Sequence, residues 1–148
     1  MTFTHVILKE KKLVLERMEG AINLDDIQKG IMQTWQDPDY DSSFSGLLDF
    51  SNAHVIIGSA EIGSLAKLLL SSAQAATGEI VILVNKPMET ALSLIFKNEM
   101  IEKNNITIYS NWSNALNHFD LSHEEFQLLD SDQSTSFSSS DSLMRKKK

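Results

Sequence analysis

The chain has 148 residues, contains no cysteine and carries a formal net charge of −7 at pH 7. This length suits one domain, and the acidic charge disfavours nucleic acid as a partner, because neutralising phosphates requires clustered Lys and Arg. The absence of cysteine excludes disulfides, thiolate zinc sites and cysteine nucleophiles.

The amino-terminal apolar run is interrupted by charged residues, among them Lys9 and Glu10. A signal-peptide core is therefore not expected, and no apolar stretch is long enough to predict a membrane span. We expect a cytoplasmic protein.

The first half of the chain predicts two strands and a helix, followed by another strand. Residues 5–10 and 13–18 alternate between apolar and polar side chains and predict an antiparallel pair. Asn23 is the expected N-cap of an amphipathic helix that ends before Pro38. Residues 46–51 then predict a buried strand, and the apolar residues 55–57 continue it.

In the second half, helices and strands are expected to alternate. Ser59 is the expected N-cap of a helix that Gly78 ends, and residues 80–84 predict a buried strand. Pro87 suits the first turn of the next helix, and a strand at 106–109 precedes a last helix. The order β-β-α-β-α-β-α-β-α predicts an α/β domain with a mixed, mostly parallel sheet covered by helices. The residues expected in its core are Leu48, Phe50, Ile80, Ile82, Val84 and Ile108.

We predict one domain over residues 1–120 and a disordered tail over residues 121–148. From about Ser131 the composition becomes rich in serine, which offers too little apolar surface to offset the entropy of ordering. The last four residues are basic and give the tail a positive end.

Two stretches imitate ligand-binding loops without completing them. Residues 58–64 are predicted between a strand and a helix, as in a phosphate-binding loop, but Ser64 stands where the lysine is required. Asp37, Asp39 and Asp41 imitate the start of a calcium loop, but Leu48 stands where a glutamate should close it. We interpret the first stretch as a capped helix start and the second as an acidic turn.

No catalytic constellation is recognisable, so we expect no catalytic residue, no metal, no cofactor and no enzyme activity. The four histidines lack the spacing of metal ligands, and no serine lies in a Gly-x-Ser-x-Gly or Ser-x-x-Lys motif.

The element order and the stretch Leu47-Leu48-Asp49-Phe50-Ser51 resemble the STAS fold of anti-sigma-factor antagonists, and most closely the small bacterial SpoIIAA-like, STAS/SEC14-type proteins. The similarity covers residues 5 to about 120. In that family, the second serine of an Asp-Ser-Ser-Gly motif is phosphorylated at a helix start. It corresponds to Ser59, whose neighbours Ile57, Gly58 and Ala60 differ from the motif.

The resemblance implies a non-enzymatic signalling module that binds a protein partner, either another protein or a second copy of itself as a homodimer, through a surface containing Gly58, Ser59, Glu61 and Ser64. Ser59 would be either a regulatory phosphoacceptor or only the helix N-cap. The alternative that the resemblance implies is a carrier of a small apolar molecule or lipid, with a SEC14-like cleft between helices and sheet. Neither hypothesis involves nucleic acid or membrane insertion.

Overall fold

The computed structural model describes residues 1–130, which form a mixed sheet with helices on both faces. The elements in chain order are β1 Thr2–Leu8, β2 Leu13–Ile22, α1 Leu24–Trp35, β3 Ser45–Asp49, β4 Ala53–Val55, α2 Ser59–Ser71, β5 Ile80–Leu83, α3 Pro87–Glu99, β6 Ile106–Tyr109, α4 Trp112–His118 and α5 His123–Gln127. The strand order in the sheet is β1-β2-β3-β5-β6, and the short β4 pairs with the end of β2. β1 and β2 are antiparallel, whereas every other neighbouring pair is parallel. The predicted α/β class with a mostly parallel sheet is therefore confirmed.

The predicted start of α1 is confirmed. The side chain of Asn23 accepts a hydrogen bond from the Asp26 N–H at 2.8 Å, and the Asp26 carboxylate accepts one from the Asn23 N–H at 3.0 Å. This reciprocal capping satisfies two N–H groups that the first helical turn leaves without partners. The helix then lies close to the first two strands, because a Cβ built on Gly30 would approach the Met18 Cε to 2.6 Å.

Each face of the sheet has its own apolar cluster. Side chains of α1, α2 and α3 cover one face. Residues of α4 and α5 cover the other face, where Leu15, Leu47 and Val81 are completely buried. Consecutive residues of a strand point to opposite faces, so neighbours such as Leu47 and Leu48 belong to different cores.

The ends of α2 correct two sequence predictions. Gly58 is its N-cap and Ser59 its first helical residue, so the prediction of Ser59 as N-cap was wrong by one position. The helix ends at Ser71, well before Gly78. Gly78 has another structural role, because a Cβ there would lie 2.6 Å from the carbonyl oxygen of Phe44. Its missing side chain allows two backbone segments to approach each other.

Residues 121–130 correct the predicted domain boundary, which was at least ten residues too early. They form α5 and a short 310 turn, and Leu121, Phe126 and Leu129 are buried against the sheet. Arg17 joins this segment to the strands, because its Nε donates to Asp49 Oδ2 at 2.9 Å and its guanidinium also pairs with Asp130. The serine-rich part of the predicted tail, residues 131–148, lies outside the described residues.

Candidate functional site

A cavity of about 160 Å³ lies between the sheet and helices α1, α2 and α3. Most of the side chains that line it are apolar, and they come from the strands below and from all three helices above. Protein interiors contain few voids larger than a water molecule, so a space of this size is unusual for a packed core. The apolar lining includes Ile27, Ile31, Leu48, Leu65, Leu69, Ile82, Leu92 and Phe96.

The floor of the cavity explains why the predicted core was only partly correct. Ile82 and Val84 are buried as expected, with 2% and 1% of their surface exposed. Leu48, Phe50 and Ile80 are only partly buried, and all three line the cavity. The remaining predicted core residue, Ile108, is also partly buried, and it lies on the edge strand β6.

One carboxylate, that of Glu16 on β2, faces this apolar space. The Thr34 hydroxyl of α1 donates to Glu16 Oε2 at 2.5 Å. Burial raises the pKa of Glu16, and the hydrogen bond from Thr34 and the charge of His5 oppose that rise only in part. The side chain nevertheless keeps some accessible surface, because it lines the cavity.

Tyr40 and Trp35 stand beside Glu16 in the lining. The Tyr40 hydroxyl donates to the carbonyl oxygen of Gln74 at 2.6 Å, and Gln74 lies in the segment between α2 and β5. Burial, together with the charge of Glu16, raises the pKa of Tyr40 to about 12. Tyr40 is therefore a neutral donor at physiological pH.

A second pair of titratable groups lies behind Glu16. His5 is the cross-strand partner of Glu16, and its Nε2 lies 2.8 Å from Asp37 Oδ2. The hydrogen bond with His5 holds the pKa of Asp37 below its ordinary value, although burial acts in the opposite direction. Asp37 thus contributes to a local polar cluster.

A buried carboxylate also lines the cavity on the side of α3. Glu89 is 3% exposed, and its Oε2 accepts a hydrogen bond from the Val55 N–H at 2.9 Å. Ser93, one turn later, donates to the Glu89 carbonyl oxygen at 2.8 Å. Glu89 therefore ties the end of β4 to the first turn of α3.

A groove on the outer surface adjoins the cavity between α1 and α2. Ile31 and Trp35 line both the cavity and the groove. Met32 and Leu68, which are 53% and 45% exposed, lie at the groove.

The surface predicted around Ser59 is exposed and lies apart from the cavity lining. Gly58, Ser59, Glu61 and Ser64 are all exposed. The Glu61 carboxylate accepts a hydrogen bond from the Gly58 N–H at 3.0 Å, whereas Ser64 donates to the Ala60 carbonyl oxygen at 3.2 Å. The N-cap residue of this helix, Gly58, has no side chain that could form a capping hydrogen bond.

The acidic turn after α1 satisfies its own backbone. Asp37 Oδ1 accepts from the Asp39 N–H at 2.9 Å, and Asp41 Oδ1 accepts from the Ser43 N–H at 2.8 Å. Residues 1–130 contain no group of three side chains suited to hold a metal ion. Over the same residues, no helix combines the length and the apolar character that crossing a membrane requires.

Sequence reasoning did not single out Glu16 or Glu89, although Glu16 carried a signal. Glu16 interrupts the apolar residues of a strand on the side that the neighbouring Val14 and Met18 share. A charged residue on a core-facing position indicates either a partner or a functional site. The partner, Thr34, is eighteen residues away and could not be identified before the fold was known.

Comparison with known proteins does not identify a family for this chain. No family model matches the chain, and no curated protein matches it significantly. A similar solved structure is that of an uncharacterised DUF3478-family protein with a SpoIIAA-like fold from Shewanella loihica. It is 9% identical, with a TM-score of 0.49, and the match covers 72% of this chain and 83% of that one.

Proposed function

We propose that this protein binds a small apolar molecule in the cavity between the sheet and helices α1, α2 and α3. The observation that supports the proposal is the cavity itself, about 160 Å³ of space with an apolar lining. An empty space of this kind forfeits packing contacts, so it lowers stability unless a ligand fills it.

The size of the cavity favours a small ligand over a lipid. A cavity of about 150 Å³ in an apolar core is known to bind benzene, whereas pockets for larger ligands occupy about 300 to 1,000 Å³. The space of about 160 Å³ therefore suits a molecule near the size of a substituted benzene ring. A long acyl chain would require the helices to move apart.

The proposal can be tested with toluene as the probe, because Trp35 lines the cavity. The second tryptophan, Trp112, lies on α4 at the other face, so Trp112→Phe leaves Trp35 as the only indole fluorophore. We expect a saturable change in Trp35 emission as toluene is added. A linear, unsaturable response would show that toluene does not enter the cavity.

A matched pair of variants separates binding in the cavity from binding elsewhere. Leu48→Phe places a larger side chain in the cavity and should weaken toluene binding. Leu47→Met conserves volume on the opposite face and should leave toluene binding unchanged. Equal toluene binding by both variants would place the probe outside the cavity.

A second candidate function, association with a protein partner, is favoured by exposed apolar residues near the start of α2. Ile56 is 58% exposed and Met88 is 60% exposed. They lie on adjacent segments, because the Val55 N–H binds the Glu89 carboxylate. Exposed apolar side chains grouped on a surface are typical of interaction sites. A phosphate on the neighbouring Ser59 would change the charge of this surface without disturbing the core.

This second candidate predicts that association depends on Ile56. If the partner is a second copy of the chain, light scattering should detect a dimer that Ile56→Asp converts to monomer, whereas Leu48→Phe leaves it intact. Ser59→Asp should weaken the dimer relative to Ser59→Ala if the charge at this position is regulatory. A monomer at every concentration would contradict self-association.

A further inference from the structure

We infer that the ligand of the cavity carries a hydrogen-bond donor, a hydroxyl or an amino group, which binds the Glu16 carboxylate. This inference rests on the proposed function and specifies the chemistry of its ligand. Its basis is an imbalance between donors and acceptors in the cavity lining.

Glu16 supplies the acceptor. Its Oε2 already receives the Thr34 hydroxyl, whereas its Oε1 has no hydrogen bond within residues 1–130. A carboxylate oxygen beside an apolar cavity is costly to leave without a partner, so a ligand that donates to it would gain free energy.

The neighbouring hydroxyls are already engaged by protein acceptors. The hydroxyl of Thr34 donates to Glu16, and that of Tyr40 donates to the Gln74 carbonyl oxygen. A hydroxyl has one hydrogen, so neither has one left for a ligand, and the indole N–H of Trp35 is the remaining donor in this part of the lining.

The rest of the lining extends the same imbalance. The Asn104 amide donates to the carbonyl oxygens of Ala76 and Gly78, and Ser93 donates to a carbonyl of its own helix. Ser45 is the exception, because its hydroxyl accepts from the Glu79 N–H and keeps its own hydrogen. Two donors, the Ser45 hydroxyl and the Trp35 indole N–H, thus stand in the lining beside two carboxyl groups, those of Glu16 and Glu89.

This arrangement disfavours anionic ligands. A carboxylate or phosphate would enter an apolar space with two acidic side chains and few donors to stabilise its charge. Fatty acids and acidic lipids are therefore disfavoured by chemistry as well as by size. An alcohol, a phenol or an amine satisfies Glu16 instead.

The experiment compares four probes that share a benzene ring, namely toluene, benzyl alcohol, benzylamine and benzoate. Each is titrated against the full chain carrying Trp112→Phe, with Trp35 emission as the readout. We expect benzyl alcohol or benzylamine to bind about tenfold more tightly than toluene, as a hydrogen bond to a charged group predicts, and benzoate not to bind. The stronger of the two donors identifies the head group as hydroxyl or ammonium.

Substitution of Glu16 supplies the control. Glu16→Leu should remove the advantage of the donor probes over toluene, whereas Glu10→Leu, at an exposed carboxylate, should preserve it. If Glu16→Leu does not fold, Glu16→Gln decides the question. Its amide supplies donor hydrogens and should therefore admit benzoate.

The outcomes separate this inference from the proposed function. If toluene binds but the alcohol and amine bind no more tightly, or if benzoate binds as well as they do, the inference is wrong and the cavity remains a binding site. If none of the four probes binds, the proposed function fails and the inference fails with it.

Discussion

The most informative perturbation places the same larger side chain on the two faces of one strand. Leu47 and Leu48 are neighbours on β3, but Leu47 is 0% exposed in a dense core whereas Leu48 borders a cavity of about 160 Å³. Leu47→Phe has no space to enter and should destabilise the fold by about 1 to 3 kcal/mol. Leu48→Phe fills existing space and should stabilise it by about 0.5 to 2 kcal/mol.

Urea unfolding followed by circular dichroism measures both changes in the free energy of unfolding. The two variants should differ by about 1.5 to 5 kcal/mol, the sum of the overpacking cost and the gain from cavity filling. The alanine variants supply an internal check, because Leu47→Ala should cost about 2 to 5 kcal/mol and Leu48→Ala should cost less. Equal destabilisation by both phenylalanine variants would show that the two faces are equally packed and that no cavity exists.

Three further predictions concern the carboxylates and the chain end. The pKa of Glu16 is raised above 4.5 in the folded protein. The folded state therefore binds more protons than the unfolded state, and the stability that Glu16 contributes is lost as pH rises from about 4.5 through the folded pKa. Thermal melts should accordingly show Glu16→Gln gaining stability relative to the wild type from about pH 4 to about pH 7. A difference in melting temperature that stays constant over this range would contradict the raised pKa. Glu89→Leu leaves the Val55 N–H unpaired and should lower the free energy of unfolding in urea by about 1 to 3 kcal/mol. Glu89→Gln keeps the acceptor and should lower it less. Equal losses in the two variants would show that this hydrogen bond contributes nothing. A chain that ends at residue 120 loses the buried Phe126 and should melt far below one that ends at residue 130, so similar melting temperatures would mean that α5 adds no stability.

The fold was largely predictable because its signals are local. Asn23 and Pro87 mark the starts of their helices with side-chain or ring chemistry that depends on few neighbours. Gly78 misled the prediction because its role depends on Phe44, a residue distant in sequence. The short α5 was also missed, because its burial depends on contact with Arg17 and the sheet rather than on a long periodic pattern.

The candidate site was less predictable because a cavity is a property of packing. Leu48, Phe50 and Ile80 have the composition of ordinary core residues, and only the spacing of the helices above them leaves space. The alternative hypothesis of an apolar cleft came from family resemblance and not from any single residue. The phosphoacceptor role of Ser59 stays a prediction, since its exposure permits modification without requiring it.

The most direct test of ligand binding is a toluene titration followed by NMR of leucine methyl groups. Leu48 and Leu65 line the cavity, whereas Leu15 and Leu47 are buried on the opposite face of the sheet. We predict saturable chemical-shift changes at Leu48 and Leu65, with Leu15 and Leu47 nearly unchanged. Unchanged resonances throughout, or equal changes on both faces, would contradict the proposal that this protein binds a small apolar molecule between its sheet and its helices.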